Sequence, residues 1–142
     1  MNVTFTVIGK PQAKARPRIT KKGYAYTPKK TLDFENLVKL SYLQQIGRSE
    51  MIKGPIELEV KFYWQIPKSY TKKKKESIIK GELLYTKKPD LDNCIKSIMD
   101  ALNEIVYEDD KQIVKIIASK HYTTEKARTE IRITEIQKPV LE

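Results

Sequence analysis

From Ile56 to Ile66 apolar and polar residues alternate without a break. Ile56, Leu58, Val60, Phe62, Trp64 and Ile66 take one parity, and Glu57, Glu59, Lys61, Tyr63 and Gln65 take the other. Side chains of an extended chain point to opposite faces in turn, so this segment is a long strand with one buried and one wet face. Gly54-Pro55 opens it and Pro67 closes it. A sheet with one apolar face needs a second layer, and the rest of the chain must supply it.

Two segments have helical spacing. Phe34, Leu37, Val38 and Ser41 predict a helix from about Lys29 to Ile46, with Thr27-Pro28 as cap and first position and Gly47 as the stop. Ile95, Ile98, Met99, Leu102, Ile105 and Val106 form one apolar stripe on a helix predicted from Asp92 to Val106. Val3 to Ile8 reads as a strand. Strands near Gln112 to Tyr122 and Thr129 to Ile136 are expected to pair as an antiparallel hairpin across a turn at Thr123 to Arg128. Ser69 to Lys80 predicts a short, lysine-covered helix, and the tail from Gln137 is predicted to be loose. The expected fold is α+β: one domain over residues 1–142, with two main helices on a mixed four-stranded sheet.

Composition excludes several chemistries. The single cysteine, Cys94, allows no internal disulfide or multi-cysteine zinc site, and one histidine, His121, allows no histidine-rich metal site. No apolar run is long enough to span a bilayer. The first residues are too polar for a signal peptide, so no membrane partner and a cytoplasmic, nucleoid-associated location are expected.

The net charge of +10 favours a polyanionic partner. Its distribution is uneven. Lys10 to Lys30 holds eight basic residues and no acid, and Lys68 to Lys80 sets six lysines against Glu76. Between Asp90 and Asp110 the balance reverses, with Asp90, Asp92, Asp100, Glu104, Glu108, Asp109 and Asp110 opposed only by Lys96. Two like charges 4 Å apart repel by about 4 kcal/mol at an effective dielectric near 20. A divalent cation relieves that repulsion and bridges to phosphate.

On a helix wheel with Asp92 at zero, Lys96 falls at about 40°, Asp100 at about 80° and Asn103 at about 20°, opposite the apolar stripe. Hard carboxylate oxygens suit Mg²⁺, and a neighbouring lysine suits a phosphate oxygen. That set fits phosphodiester cleavage better than acyl transfer, which needs a serine or cysteine nucleophile with a base. Each element also has an ordinary structural reading. Asp90 or Asp92 fits a helix cap, Asp92 and Lys96 an i,i+4 ion pair, and Glu108-Asp109-Asp110 a solvated turn. Cys94 and His121 read as structural, and Trp64 as core. Tyr24 and Tyr26 fit either stacking on bases or packing.

The run Lys88-Pro-Asp-Leu-Asp-Asn-Cys-Ile-Lys96, then Asp100-Ala-Leu-Asn103, then Tyr107-Glu-Asp-Asp-Lys-Gln-Ile-Val114 resembles the RusA family of Holliday junction resolvases. Gly9-Lys-Pro-Gln-Ala-Lys-Ala-Arg-Pro-Arg18 and Tyr26-Thr-Pro-Lys-Lys-Thr31 resemble the N-terminal pattern of its phage and prophage branch. The resemblance implies that Asp90, Asp92 and Asp110 bind Mg²⁺, or Mn²⁺ as a substitute, with Asp109 beside them. It also implies that Lys96 is catalytic, and that a homodimer makes paired nicks across a four-way junction. Asp100 matches an acidic position of less defined role. Charge alone nominates Lys14, Arg16, Arg18, Lys21 and Lys22, with Lys72, Lys73, Lys74 and Lys75, as phosphate contacts. A non-catalytic binder of branched DNA, and a Mg²⁺ nuclease of flaps or forks, fit the same residues.

Overall fold

The alternating segment forms β4, Ile56–Gln65, and the five apolar residues of that parity within it are all buried. A computed structural model describes residues 1–136, so the expectation for the tail from Gln137 lies outside the described residues. The elements run β1 (Asn2–Ile8), β2 (Arg18–Ile19), β3 (Ala25–Tyr26), α1 (Lys29–Gln45), β4, α2 (Lys72–Ile79), α3 (Leu91–Leu102), a 3-10 turn at Asp110–Gln112, β5 (Ile113–Thr123) and β6 (Arg128–Glu135). None of the helices is long and apolar enough to cross a membrane.

The main sheet has the order β1-β6-β4-β5. β6 runs antiparallel to both β1 and β4, while β4 and β5 are parallel, so the sheet is mixed as expected. The expected hairpin between β5 and β6 does not form, because β4 lies between them. β6 buries Thr129, Ile131 and Ile133 and takes an interior place, whereas Val114, Ile116 and Ile117 of β5 stay exposed on the sheet edge. A short connection suggests a hairpin, but burial of the more apolar face decides the neighbours.

α1 and α3 pack against each other, with α1 also against β1 and α3 against β5. They cover the apolar face with Phe34, Val38 and Tyr42 from α1 and Ile95, Ile98, Ala101 and Leu102 from α3. Each fully buried side chain of the larger kind contributes about 1.5–3 kcal/mol. α2 is a third helix and buries no residue. α1 ends where predicted, with Gly47 at φ +86°, a conformation that other residues adopt at a cost. Its cap position falls on Pro28, one residue later than expected.

α3 is shorter than its apolar stripe implied. It stops at Leu102, Asn103 turns extended, and Glu104 takes φ +65°. Ile105 and Val106 therefore pack from a turn instead of a helix. No glycine or proline marks this break. Val106 and Tyr107 are buried in the core, and Ile52 donates its N–H to the Val106 carbonyl at 2.8 Å, so tertiary packing ends the helix.

The connection between the parallel strands β4 and β5 contains α2 and α3. α3 therefore starts near the carboxyl end of the sheet and finishes near the start of β5. Over 12 residues it covers about 18 Å. That length separates the two halves of the acidic segment.

Candidate active site

Asp90 occupies the cap position of α3 and Asp92 its first turn. Both are exposed, and Asp90 makes no side-chain capping bond. Asp92 accepts only the adjacent Asn93 N–H, at 2.9 Å. Lys96 is exposed one turn further on, and among the described residues none of these three takes part in an ion pair. The cap and i,i+4 readings are thus not what occupies these groups. The positive end of the helix dipole favours both carboxylates and any anion beside them. Lys120 Nζ donates to the carbonyls of Lys87 and Pro89 at 2.8 and 2.9 Å, which ties the backbone just ahead of Asp90 to β5.

The other end of α3 is built differently. Asp109 accepts the Lys111 N–H at 2.8 Å, and the Gln112 side chain accepts from the N–H groups of Glu108 and Asp109 at 2.9 and 3.0 Å. The Gln112 amide also donates to the carbonyls of Ile52 and Gly54, at 2.8 and 3.1 Å. Gln112 therefore fixes the turn that presents Asp110. Sequence reasoning missed it, although Asp109-x-x-Gln112 is a readable capping box. Asp110 is half-buried. Burial holds its carboxyl above the usual carboxylate range, the Tyr107 hydroxyl opposes that, and Asp100 and Asp109 add to it. Asp110 Oδ1 and Asn103 Oδ1 are both buried without a hydrogen-bond partner. Asp110 thus turns back against the end of α3 near Asp100, not toward Asp90 and Asp92.

Beside α3 lies a basic groove of about 580 Å³. Lys10, Lys14, Arg18, Lys29, Lys30 and Lys88 line it, together with Pro89 and no acidic residue. Its wall is the N-terminal arm that follows β1, which is strapped to the helix. Lys14 N donates to the Asn93 carbonyl at 2.8 Å, and Ser97 Oγ donates to the Gln12 carbonyl at 2.9 Å. Arg18 sits in the small antiparallel ribbon β2–β3, where it pairs opposite Tyr26. Arg16, Lys21 and Lys22 are exposed on the same arm, and Lys72, Lys73 and Lys74 are exposed on α2. Lys75, on α2, is partly buried and reaches the Lys68 carbonyl at 3.4 Å. Lys14 is the exception among the nominated phosphate contacts. Its ammonium is held by Glu35 at 2.8 Å and Asp100 at 3.1 Å, so it serves to join arm, α1 and α3. Lys29, Lys30 and Lys88 line the groove without an ion pair among the described residues; Lys29 and Lys30 close the basic run that starts at Lys10, and Lys88 lies outside both lysine-rich runs.

Cys94 and His121 are both engaged within the fold. Cys94 is buried, and burial pushes its thiol up to about 11, which keeps it protonated and unreactive at neutral pH. His121 stacks on Tyr63 and lies 2.6 Å from Ser119 Oγ, on the sheet face away from the helices. Tyr24 and Tyr26 are exposed at the ribbon.

Hard, uncommitted carboxylate oxygens at Asp90 and Asp92, and an orphaned buried oxygen on Asp110, are donors suited to Mg²⁺. Among the described residues, no three acid, histidine or cysteine side chains converge in one chain. The donor chemistry fits; the two halves of the donor set stand a helix length apart.

Residues 9–134 match the family model described as Endodeoxyribonuclease RusA. The chain is 41% identical over 139 residues to the uncharacterized protein YqaN of Bacillus subtilis (strain 168), covering 94% of this chain and 96% of that one. It is also 39% identical over 83 residues to the crossover junction endodeoxyribonuclease rusA of Lactococcus phage r1t, covering 58% of this chain and 56% of the phage protein.

Proposed function

This chain belongs to the RusA endodeoxyribonuclease family, and from that premise we propose that it is a Mg²⁺-dependent nuclease that resolves Holliday junctions by paired nicks. One observation carries the reading. Lys88 and Pro89 line the basic groove, and the next residues in the chain are the free acids Asp90 and Asp92. A phosphate backbone drawn into the groove by counterion release is thereby delivered to carboxylates that form no ion pair among the described residues.

Asp90 and Asp92 would hold Mg²⁺, with Asp110 as third carboxylate and Asp109 shaping its turn. Bound Mg²⁺ supplies neutralisation of phosphate charge and activation of water. Lys96, on the same face as Asp92, donates to a phosphate oxygen as charge grows there. Lys10, Arg18, Lys29 and Lys30 hold neighbouring phosphates without reading bases.

The working unit in this reading is a homodimer. β5 is an unprotected edge strand of 11 residues with Val114 at 63%, Ile116 at 45% and Ile117 at 41% exposure. Such an edge invites pairing, and a second copy seated there lies next to the Asp110 turn. In that arrangement the Asp110 end of one chain approaches the Asp92 end of the other and completes a donor set that one chain leaves divided.

The test is cleavage of a synthetic four-way junction in Mg²⁺, beside Asp92→Asn. Paired symmetric nicks in the wild type, lost in the variant with junction binding retained, are expected. Tight binding with no nicks in Mg²⁺ or Mn²⁺ would make the chain a binding module. Faster cutting of flaps or forks than of junctions would change the substrate while keeping the chemistry.

A further inference from the structure

At the carboxyl ends of β4 and β5 lies a second cavity, of about 320 Å³. It is within the size range of small-molecule sites, and its walls are aromatic. Trp64 and Tyr85 stack at 4.4 Å with planes 11° apart, and Tyr122 meets Tyr85 edge-on at 4.9 Å. Tyr70 closes the far side, with Lys74 Nζ 3.9 Å and Lys87 Nζ 4.9 Å from its ring centre.

Two observations point to an occupant. Trp64 is only 3% exposed, yet its indole N–H has no hydrogen-bond partner among the described residues. Buried donors are nearly always paired, so an unpaired one on a residue that lines a cavity points to a missing acceptor. The cavity also joins the basic groove, since Lys10 and Tyr85 line both. Any ligand there is continuous with a bound phosphate backbone. The aromatic walls, the unpaired donor and the lysines at the rim match one chemical class, a nucleobase with its phosphates.

We propose that this cavity receives one unstacked nucleobase of the DNA strand lying in the groove. An acceptor of that base pairs with the Trp64 N–H, and its flanking phosphates sit at Lys10 and Lys87. The rigid lip from Lys87 to Pro89, pinned by Lys120, then sets how far the seated base lies from Asp90. The base in the cavity thus selects which phosphate faces the acids, and the Trp64 donor with the Gln65 amide makes that choice depend on base identity. This inference rests on the nuclease reading only in taking the strand to be DNA.

Trp64 is the single tryptophan of the chain, so its emission reports the cavity directly. The full chain is titrated without Mg²⁺ against four-way junctions, and binding is followed separately by anisotropy of a dye on one arm. Binding is expected to quench or shift the Trp64 emission, and an abasic residue at one position near the crossover is expected to restore it. Trp64→Phe keeps a packed ring but removes the donor, and is expected to compress the spread of cutting rates among junction sequences by about 10-fold. Unchanged emission while anisotropy reports binding would overturn the proposal and leave the nuclease reading intact. So would a change that survives an abasic residue at every position. Absence of binding by anisotropy would remove both.

Discussion

The two ends of α3 carry acids in opposite settings. At its start, Asp90 and Asp92 are exposed, make no ion pair among the described residues, and adjoin a groove of lysines. At its finish, Asp110 is half-buried with one orphaned oxygen, and Asp100 is already paired with Lys14 at 3.1 Å. In the proposed reading the first end receives a phosphate, and the second holds a buried carboxylate oxygen without a partner among the described residues. Neither alone holds a full set of metal donors. The lesson is that a linear motif can be contiguous in sequence and still be divided by the length of the helix that carries it.

Subunit mixing gives the sharpest break of this comparison. Asp92→Asn and Asp110→Asn are each expected to lower junction nicking by about 100-fold or more, the scale of losing a group aimed at developing charge. If the two ends meet only across a dimer, denaturing the variants together and refolding them creates mixed dimers with one intact site. Single nicks then return while paired nicks do not. If nicking stays absent after mixing, measured on the same junction, the two ends act within one chain.

A smaller effect tests the buried carboxylate oxygen at the finish of α3. Gln112→Ala removes an acceptor from two backbone N–H groups and a donor from two carbonyls. It is expected to cost about 1–3 kcal/mol in urea unfolding. It should also lower nicking while leaving junction affinity unchanged, because the groove lies at the other end. Weakened affinity instead would mean that the Asp110 turn touches DNA.

The smallest effect tests the start. Lys88→Ala is expected to reduce the slope of log affinity against log salt by about 1, and Asp110→Asn is expected to leave that slope unaltered. Equal slopes for wild type and Lys88→Ala in a salt titration by anisotropy would remove Lys88 from the phosphate path.

Much of this was legible in the sequence where local pattern and global fold agree. The alternation of β4 and the spacing of α1 predict their elements closely, because each buries one regular face. The start of α3 is also where Asp90, Asp92 and Lys96 suggested. Its end is not, since Glu104 adopts positive φ with no glycine to announce it. The pairing of β5 was misjudged because two strands joined by a few residues look like a hairpin from sequence alone. The place of β4 between them depends on long-range burial. Lys14 counted as one more cation in a basic run until Glu35 and Asp100, distant in sequence, were found around it. The aromatic cavity had no signature beyond Trp64, whose register only said that it was inside.

The sheet order has a further consequence, in the timing of assembly. β6 is the final strand among the described residues, yet it hydrogen-bonds to both β1 and β4. Asn2 pairs opposite Thr134, so β1 has no strand partner until the residues of β6 have been made. Folds dominated by such distant pairings form slowly, in about milliseconds to seconds. Until β6 is made, β1 and β4 have no strand between them, and the sheet under α1 and α3 is open at its centre.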